Sequence, residues 1–437
     1  MIKRYRLRQL LAPTRGLQTA LAGFLLGQIA LILGLGLSFK NIIRPTLAGL
    51  SSTTDRLLGR FVDEERVAVT AHLVGGALIV VGVFVSIRAI VRGLGHVVDT
   101  LTPETKSGKV DAYFRRLELA QGPRIVAIGG GTGLSTLLRG LKNYTSNITA
   151  IVTVTDDGGS SGRLMREKGI IPPGDLRNCM VALADAEKTM TDLFQHRFRD
   201  DSGSLSGHSI GNLLIAALAD QANGDFDTAV GIASAVLNIR GHVVPSTLDH
   251  VKLMAELEDG SVVSGETNIV GSGQRINRLY LDPSMCEPHP KTIEAIRQAD
   301  LICIGPGSVF TSVIPNLLVP GLAEAIMASP SPKVYICNVM TQPGESEGLS
   351  ASAHANSILR ILEKRVIDYV LVNVAQPSAD LIERYETVNQ HLVEADLDQL
   401  RKNGFRPLPG DYISESDFVR HDPVKVAARL MKLLEGR

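Results

Sequence analysis

Arg124-Ile-Val-Ala-Ile-Gly129-Gly-Gly-Thr-Gly133-Leu-Ser-Thr-Leu-Leu-Arg-Gly-Leu141 reads as a short β-branched strand, a glycine turn and an amphipathic helix. Leu134, Leu137, Leu138 and Leu141 recur at helical spacing, whereas 125–128 is a continuous apolar run of the kind buried on both faces of a sheet. The same succession returns along the chain. Residues 148–154, 300–304, 333–337 and 368–373 are strand candidates separated by helical stretches. Strands alternating with helices specify right-handed crossovers and a Rossmann-like, doubly wound, mostly parallel α/β sheet. Residues 251–258, the turn Asp259-Gly260 and residues 261–264 read as a β-hairpin insertion.

The chain has 437 residues, 44% of them hydrophobic and 21% charged, which excludes wholesale disorder and leaves room for a large core plus a further unit. Cys179, Cys286, Cys303 and Cys337 are scattered without a CxxC pair, so neither a structural zinc site nor a disulfide framework is indicated, and a reducing compartment fits. Residues 1–120 hold 16 Lys+Arg against 8 Asp+Glu; from totals of 45 and 45, the remainder holds 29 against 37. A net-acidic body offers no general basic face for nucleic acid.

The basic front is a separate unit, residues 1–120, joined to a domain over 121–437. Two uncharged runs, 17–39 and 67–87, each have the length of a membrane-spanning helix and are expected to form a transmembrane hairpin. Lys3, Arg4, Arg6, Arg8 and Arg15 precede the first run; Arg88, Arg92, Lys106, Lys109, Arg115 and Arg116 follow the second. The positive-inside tendency then puts both ends, and the main domain, on the cytoplasmic side. The first run is too long for a signal peptide and lacks an AxA-like site, which indicates an uncleaved anchor.

Open parallel sheets bind ligands at the carboxyl ends of their strands, so the loops that follow strands carry the functional reading. In Gly129, Gly130, Gly131, Thr132 and Gly133, glycines admit positive φ and bring amides close to an anion at the start of a helix. Thr136 stands where the dinucleotide fingerprint needs its third glycine, which disfavours an NAD(P)-dependent oxidoreductase. Asp156 and Asp157 precede Gly158, Gly159, Ser160, Ser161 and Arg163; the acidic pair suits a ribose hydroxyl or Mg²⁺, and the arginine a phosphate. Pro172-Pro-Gly-Asp175-Leu-Arg177-Asn178 places Asp175 as an N-cap, with Arg177 and Asn178 in the first turn. His208, Ser209 and Asn212 open another helix; His208 is an acid–base candidate without a partner identifiable from sequence, and Asp156 and Asp157 are the other catalytic candidates. Gly305, Pro306, Gly307, Ser308 and Thr311 form an anion nest without the Walker lysine, and Asn338, Thr341 and Gln342 offer hydrogen bonds to a base or sugar. Taken singly, each loop also suits a turn or cap.

Taken in order, these strings resemble the gluconeogenesis factor family called YvcK, within the CofD-like superfamily. Ile128-Gly-Gly-Gly-Thr-Gly133, Thr155-Asp-Asp-Gly-Gly-Ser-Ser-Gly-Arg163, Pro172-Pro-Gly-Asp-Leu-Arg-Asn178, Gly207-His-Ser-Ile-Gly-Asn212, Gly305-Pro-Gly-Ser308 and Met340-Thr-Gln-Pro-Gly344 carry the resemblance over roughly 250 residues, 124–373. It implies a domain that binds nucleotide sugars such as UDP-N-acetylglucosamine and supports cell shape and envelope synthesis during gluconeogenic growth. Envelope-synthesis proteins are the implied partners, and a homo-oligomer is expected of a sheet protein this large. The enzymatic cousin, 2-phospho-L-lactate transferase, moves a phospholactyl group onto a deazaflavin precursor with Mg²⁺, and Asp156 and Asp157 resemble its acidic pair. The alternative reading is therefore a Mg²⁺-dependent phospho-group transferase.

Overall fold

The computed structural model describes residues 15–38, 67–101, 109–185, 188–199, 203–415 and 419–436. The chain divides into two compact units, residues 1–115 and 116–437.

The described residues of the first unit include two long helices, α1 (Arg15–Ser38) and α2 (Val67–Leu101). Glycines let the two backbones approach: a Cβ on Gly82 would lie 2.7 Å from the Gly27 carbonyl, and one on Gly34 would lie 2.7 Å from the Gly75 carbonyl. Large apolar side chains such as Leu26, Ile32, Leu73, Val80 and Phe84 face outward. Only one helix among the described residues, over Leu73–Arg92, is long and apolar enough to cross a membrane. The expectation of two transmembrane helices is thus not supported: the described apolar part of α1, Leu21–Leu35, falls short of the roughly 20 residues a crossing needs. The basic flank at 3–8 and the inter-span loop at 39–66, on which the orientation rests, lie outside the described residues.

The second unit is built on a parallel sheet of seven strands in the order β10-β9-β8-β7-β1-β2-β3. These strands are β1 (Ile125–Gly129), β2 (Ile148–Val152), β3 (His242–Pro245), β7 (Leu301–Ile304), β8 (Lys333–Ile336), β9 (Tyr369–Asn373) and β10 (Arg406–Gly410). Between β3 and β7 the chain forms a separate antiparallel sheet, β5-β4-β6, from β4 (Lys252–Leu257), β5 (Val262–Ser264) and β6 (Ile276–Asp282). The first two are the hairpin expected around Asp259-Gly260, and β6 extends it. The apolar runs become buried strands, every residue of β1 and β7 being buried, because helices cover both faces. The edge strands β3 and β10 had no such run. Pro245, Pro407 and Pro409 lie in them, which an edge tolerates because a missing N–H can face outward.

Helix α3 (Gly131–Leu141) buries Leu134, Leu137, Leu138 and Leu141, each contributing about 1.5–3 kcal/mol. Beyond it run α4 (Gly159–Lys168), α5 (Gly174–Leu183), α6 (Ile210–Gln221), α7 (Phe226–Leu237), α8 (Glu266–Ser272) and α9 (Ala379–Glu386). A hairpin of β11 (Ile413–Glu415) and β12 (Val419–His421) leads into the C-terminal helix α10 (Pro423–Glu435), which seats on α3 where Gly140 admits the Pro423 carbonyl.

The topology fixes where a ligand can sit. From β1 the chain steps outward through β2 to β3, then returns to the other flank of β1 with β7 and moves outward again through β10. The order reverses between β1 and β7, and the loops leaving their carboxyl ends splay apart there.

Candidate functional site

At that reversal lies a cleft of about 560 Å³. Its lining includes Gly130, Gly131, Thr132 and Gly133 from the β1 loop, Pro306, Gly307, Ser308 and Thr311 from the β7 loop, and Asn338, Thr341 and Gln342 from the β8 loop. All of these are among the residues the sequence singled out. The glycines serve close approach. A Cβ at Gly130 would stand 2.5 Å from Asp175 Oδ2 and 2.8 Å from Thr153 Cγ2, and one at Gly133 would stand 2.6 Å from the Pro306 carbonyl oxygen. Only Gly131, at φ +62°, needs the left-handed region in this turn. Gly129 and Gly305 lie beneath the cleft, where the Gly305 amide donates to the Ile128 carbonyl at 2.7 Å.

The acidic residues divide. Asp156 accepts the Gly158 amide at 3.0 Å and abuts Gly174, while Asp157 turns away and accepts the amide and hydroxyl of Thr267 at 3.0 and 2.8 Å. Asp157 therefore caps α8, and the expected Asp156–Asp157 metal pair is replaced by Asp156 facing Asp175. Asp175 is not the N-cap of α5 either. Pro173 holds that position, and the Asp175 carboxylate reaches the Gly131 amide instead. Burial, then the charge of Asp156, pushes Asp175 up to about 6. Glu266, at the start of α8, is pushed up to about 8 by burial and by Asp156 and Asp175, and Glu345 is raised by burial. Among the described residues no group of three or more His, Cys, Asp or Glu has the geometry of a metal centre.

The remaining candidates form a buried hydrogen-bonded web behind this wall. Ser160 Oγ pairs with His208 Nδ1 at 2.9 Å and accepts from Asn212 Nδ2 at 3.0 Å. Arg177 donates to Asn212 Oδ1 at 3.0 Å, to Asn178 Oδ1 at 2.7 Å and to Ser209 Oγ, and Arg163 donates to the Ser206 carbonyl. Ser209 caps α6 by accepting the Asn212 amide, and Ser161 packs under Gly174. Gly158 and Gly159, the latter at φ +46°, start α4. His208 is 3% exposed, its pKa is lowered by burial, and it does not line the cleft. His208 is thus placed in the hydrogen-bonded web behind the cleft and not on its lining.

Sequence reasoning missed Thr136, Glu266, Tyr385, Arg420 and His421, which also line the cleft. Tyr385 of α9 and the β12 pair come from the tail, where no strand-end loop marks them; the Tyr385 hydroxyl accepts the Val419 amide at 3.0 Å and ties the two together. Burial pushes His421 down to about 4, so its imidazole is neutral. Glu345 stood inside the loop that supplied Asn338 to Gln342, but only its bonds to the β7 loop reveal its place.

The profile of the 2-phospho-L-lactate transferase CofD family matches residues 125–413. The chain belongs to the CofD family. Within it, the chain is 48% identical to the gluconeogenesis factor of Bacillus subtilis over 318 residues, spanning 72% of this chain and 100% of that protein. It is 45% identical to the gluconeogenesis factor of Listeria monocytogenes over 316 residues, 72% of this chain and 97% of that one. The crystal structure of a UPF0052-family protein from Bacillus halodurans matches with a TM-score of 0.69 at 45% identity, covering 71% of this chain and 99% of that one. The CofD-like resemblance read from the strand-end loops is borne out at this level.

Proposed function

We propose that this CofD-family domain binds a nucleotide sugar of the UDP-N-acetylglucosamine class and acts as a regulator of cell shape and envelope synthesis during gluconeogenic growth. The observation that carries the binding reading is the convergence at the β1–β7 reversal of the Thr132–Gly133 turn, at a helix start that no side chain caps, with the β8-loop residues Asn338, Thr341 and Gln342. The first set suits a diphosphate at the start of an 11-residue helix; the second suits a base or sugar. The regulatory role is supported by the relatives named gluconeogenesis factor. Titration calorimetry of the full chain in detergent with UDP-N-acetylglucosamine tests the binding; no heat at millimolar ligand rejects it.

The family's transferase and the facing carboxylates of Asp156 and Asp175 favour a second reading, a Mg²⁺-dependent phospho-group transferase. Mg²⁺ commonly takes one or two carboxylates and completes its shell with waters and substrate phosphates, so Asp156 and Asp175 would hold it together with a bound phosphate. There it would neutralise charge on the transferred group. On this reading Asp156→Asn abolishes turnover and leaves binding.

For the first unit we propose a membrane anchor that holds the domain on the cytoplasmic side, beside envelope-synthesis partners and as a homo-oligomer. The outward apolar face of α1 and α2 and their glycine-mediated contact support it. Recovery of the full chain in the soluble fraction after cell lysis would reject the anchor.

A further inference from the structure

The two loops at the reversal differ in whether their hydrogen-bond donors are free. On the β7 loop, Gly307 N–H donates to Asn338 Oδ1 at 3.2 Å, while Phe310 and Thr311 N–H both donate to Glu345 Oε1 at 3.1 Å. The Ser308 hydroxyl donates to the same Glu345 oxygen. A carboxylate of the chain itself therefore occupies the corner that the sequence marks as an anion nest. On the β1 loop the helix is opened by Gly130, which has no side chain to cap it, and Asp175 takes only the Gly131 amide.

The segment that carries Glu345 is fastened on several sides. Gly344 presses so closely on the Val270 carbonyl that a Cβ would overlap it. Ser346 Oγ accepts the Gln342 amide at 3.0 Å, and Glu347 accepts the Gly344 amide at 3.1 Å and the Asn389 amide group at 3.0 Å. The backbone that presents Glu345 to the corner is thus fixed from its own loop, from Val270 and from Asn389.

We propose that Glu345 is a specificity-determining residue: its carboxylate fills the β7 corner, so the cleft seats phosphate only over the β1 loop and rejects ligands that carry a second terminal charge. This rests on the nucleotide-sugar reading for the ligand's identity. A diphosphate ester whose far end is an uncharged sugar satisfies the arrangement, with its hydroxyls beside Glu345 as acceptor. A nucleotide ending in a free phosphate sets that phosphate against the carboxylate, and rejection comes from this repulsive element.

The test is calorimetry on the full chain and on Glu345→Ala and Glu345→Gln, with UDP-N-acetylglucosamine and UTP as probes and thermal melts of each protein. The wild type should prefer the nucleotide sugar. Glu345→Ala should gain at least about tenfold in UTP affinity, equivalent to about 1.4 kcal/mol, while the sugar, which loses the acceptor for its hydroxyls, binds more weakly. Glu345→Gln should show a smaller gain in the same direction, and it decides the matter where the alanine variant melts too low to assay. Unchanged UTP affinity in folded variants, or equal loss of both ligands, overturns the proposal. If the wild type binds no nucleotide sugar yet Glu345→Ala gains UTP, the functional reading fails and the role of Glu345 stands; the reverse pattern keeps the function and removes the role.

Discussion

Replacing Glu266 by glutamine should stabilise the protein, and by an amount that grows with pH. Glu266 opens α8 on the wall of the cleft, and burial beside Asp156 and Asp175 pushes it from an ordinary 4.5 up to about 8. A carboxyl whose folded pKa is raised keeps a proton that the unfolded chain has released, so the folded state is penalised from pH 4.5 upward, saturating near 8. At pH 7 the difference of 2.5 pH units from 4.5 corresponds to about 3 kcal/mol. Solvent reaching the cleft screens part of this, and half, about 1.5 kcal/mol, is a fair expectation. At pH 5 the same reasoning gives only about 0.7 kcal/mol before screening. Glutamine keeps the length and a hydrogen-bonding end but cannot ionise. Thermal melts of the two full-length proteins should therefore separate by roughly 3–6 °C at pH 7 and converge at pH 5. In calorimetry, the wild type should lose nucleotide-sugar affinity as pH rises through 8, where Glu266 ionises, and Glu266→Gln should not. A variant that melts lower at pH 7, or whose gain is the same at pH 5, refutes the electrostatic account.

Two further substitutions probe other parts of the site, and a third is a control away from it. Gly133→Ala puts a Cβ 2.6 Å from the Pro306 carbonyl and should force the β1 and β7 loops apart, costing about 1–3 kcal/mol in denaturant melts and at least tenfold in ligand affinity. Gly231→Ala on α7, where a Cβ meets nothing within 4 Å, is the matched control and should gain about 0.5–1 kcal/mol. Asn212→Ala leaves Arg177 and Ser160 each short of a buried partner and should cost about 1–3 kcal/mol by the same melts. Because His208 in that web has a lowered pKa and stays neutral, the Asn212→Ala loss should be constant between pH 7 and 8.

What the sequence made legible follows from where the physics is local. A strand buried on both faces must be an apolar run, and a strand-to-helix turn that approaches a neighbouring loop must use glycine, so β1, β2, β7, β8 and β9 and the rim of the cleft could be read directly. The edge strands β3 and β10 are proline-bearing and paired on one side only, which leaves no continuous apolar run to detect. The tail residues Arg420 and His421 reach the cleft because β12 lies beside it, and Tyr385 arrives separately on α9 and accepts the Val419 amide, long-range events that no local pattern announces.

The acidic residues show the same division at the level of single side chains. Asp156 and Asp157 are neighbours in sequence, which makes them look like a pair of ligands. Adjacent residues on an extended stretch project to opposite sides, however. One carboxylate must then leave the site, and here Asp157 finds the start of α8 across 110 positions of chain. The partner that faces Asp156 is Asp175, brought back by the turn into α5 and held against the Gly131 amide. A carboxylate pair at a strand end is therefore better sought between consecutive loops than within one of them, and Glu266 and Glu345, contributed by the insertion and by the β8 loop, extend that arrangement around the cleft.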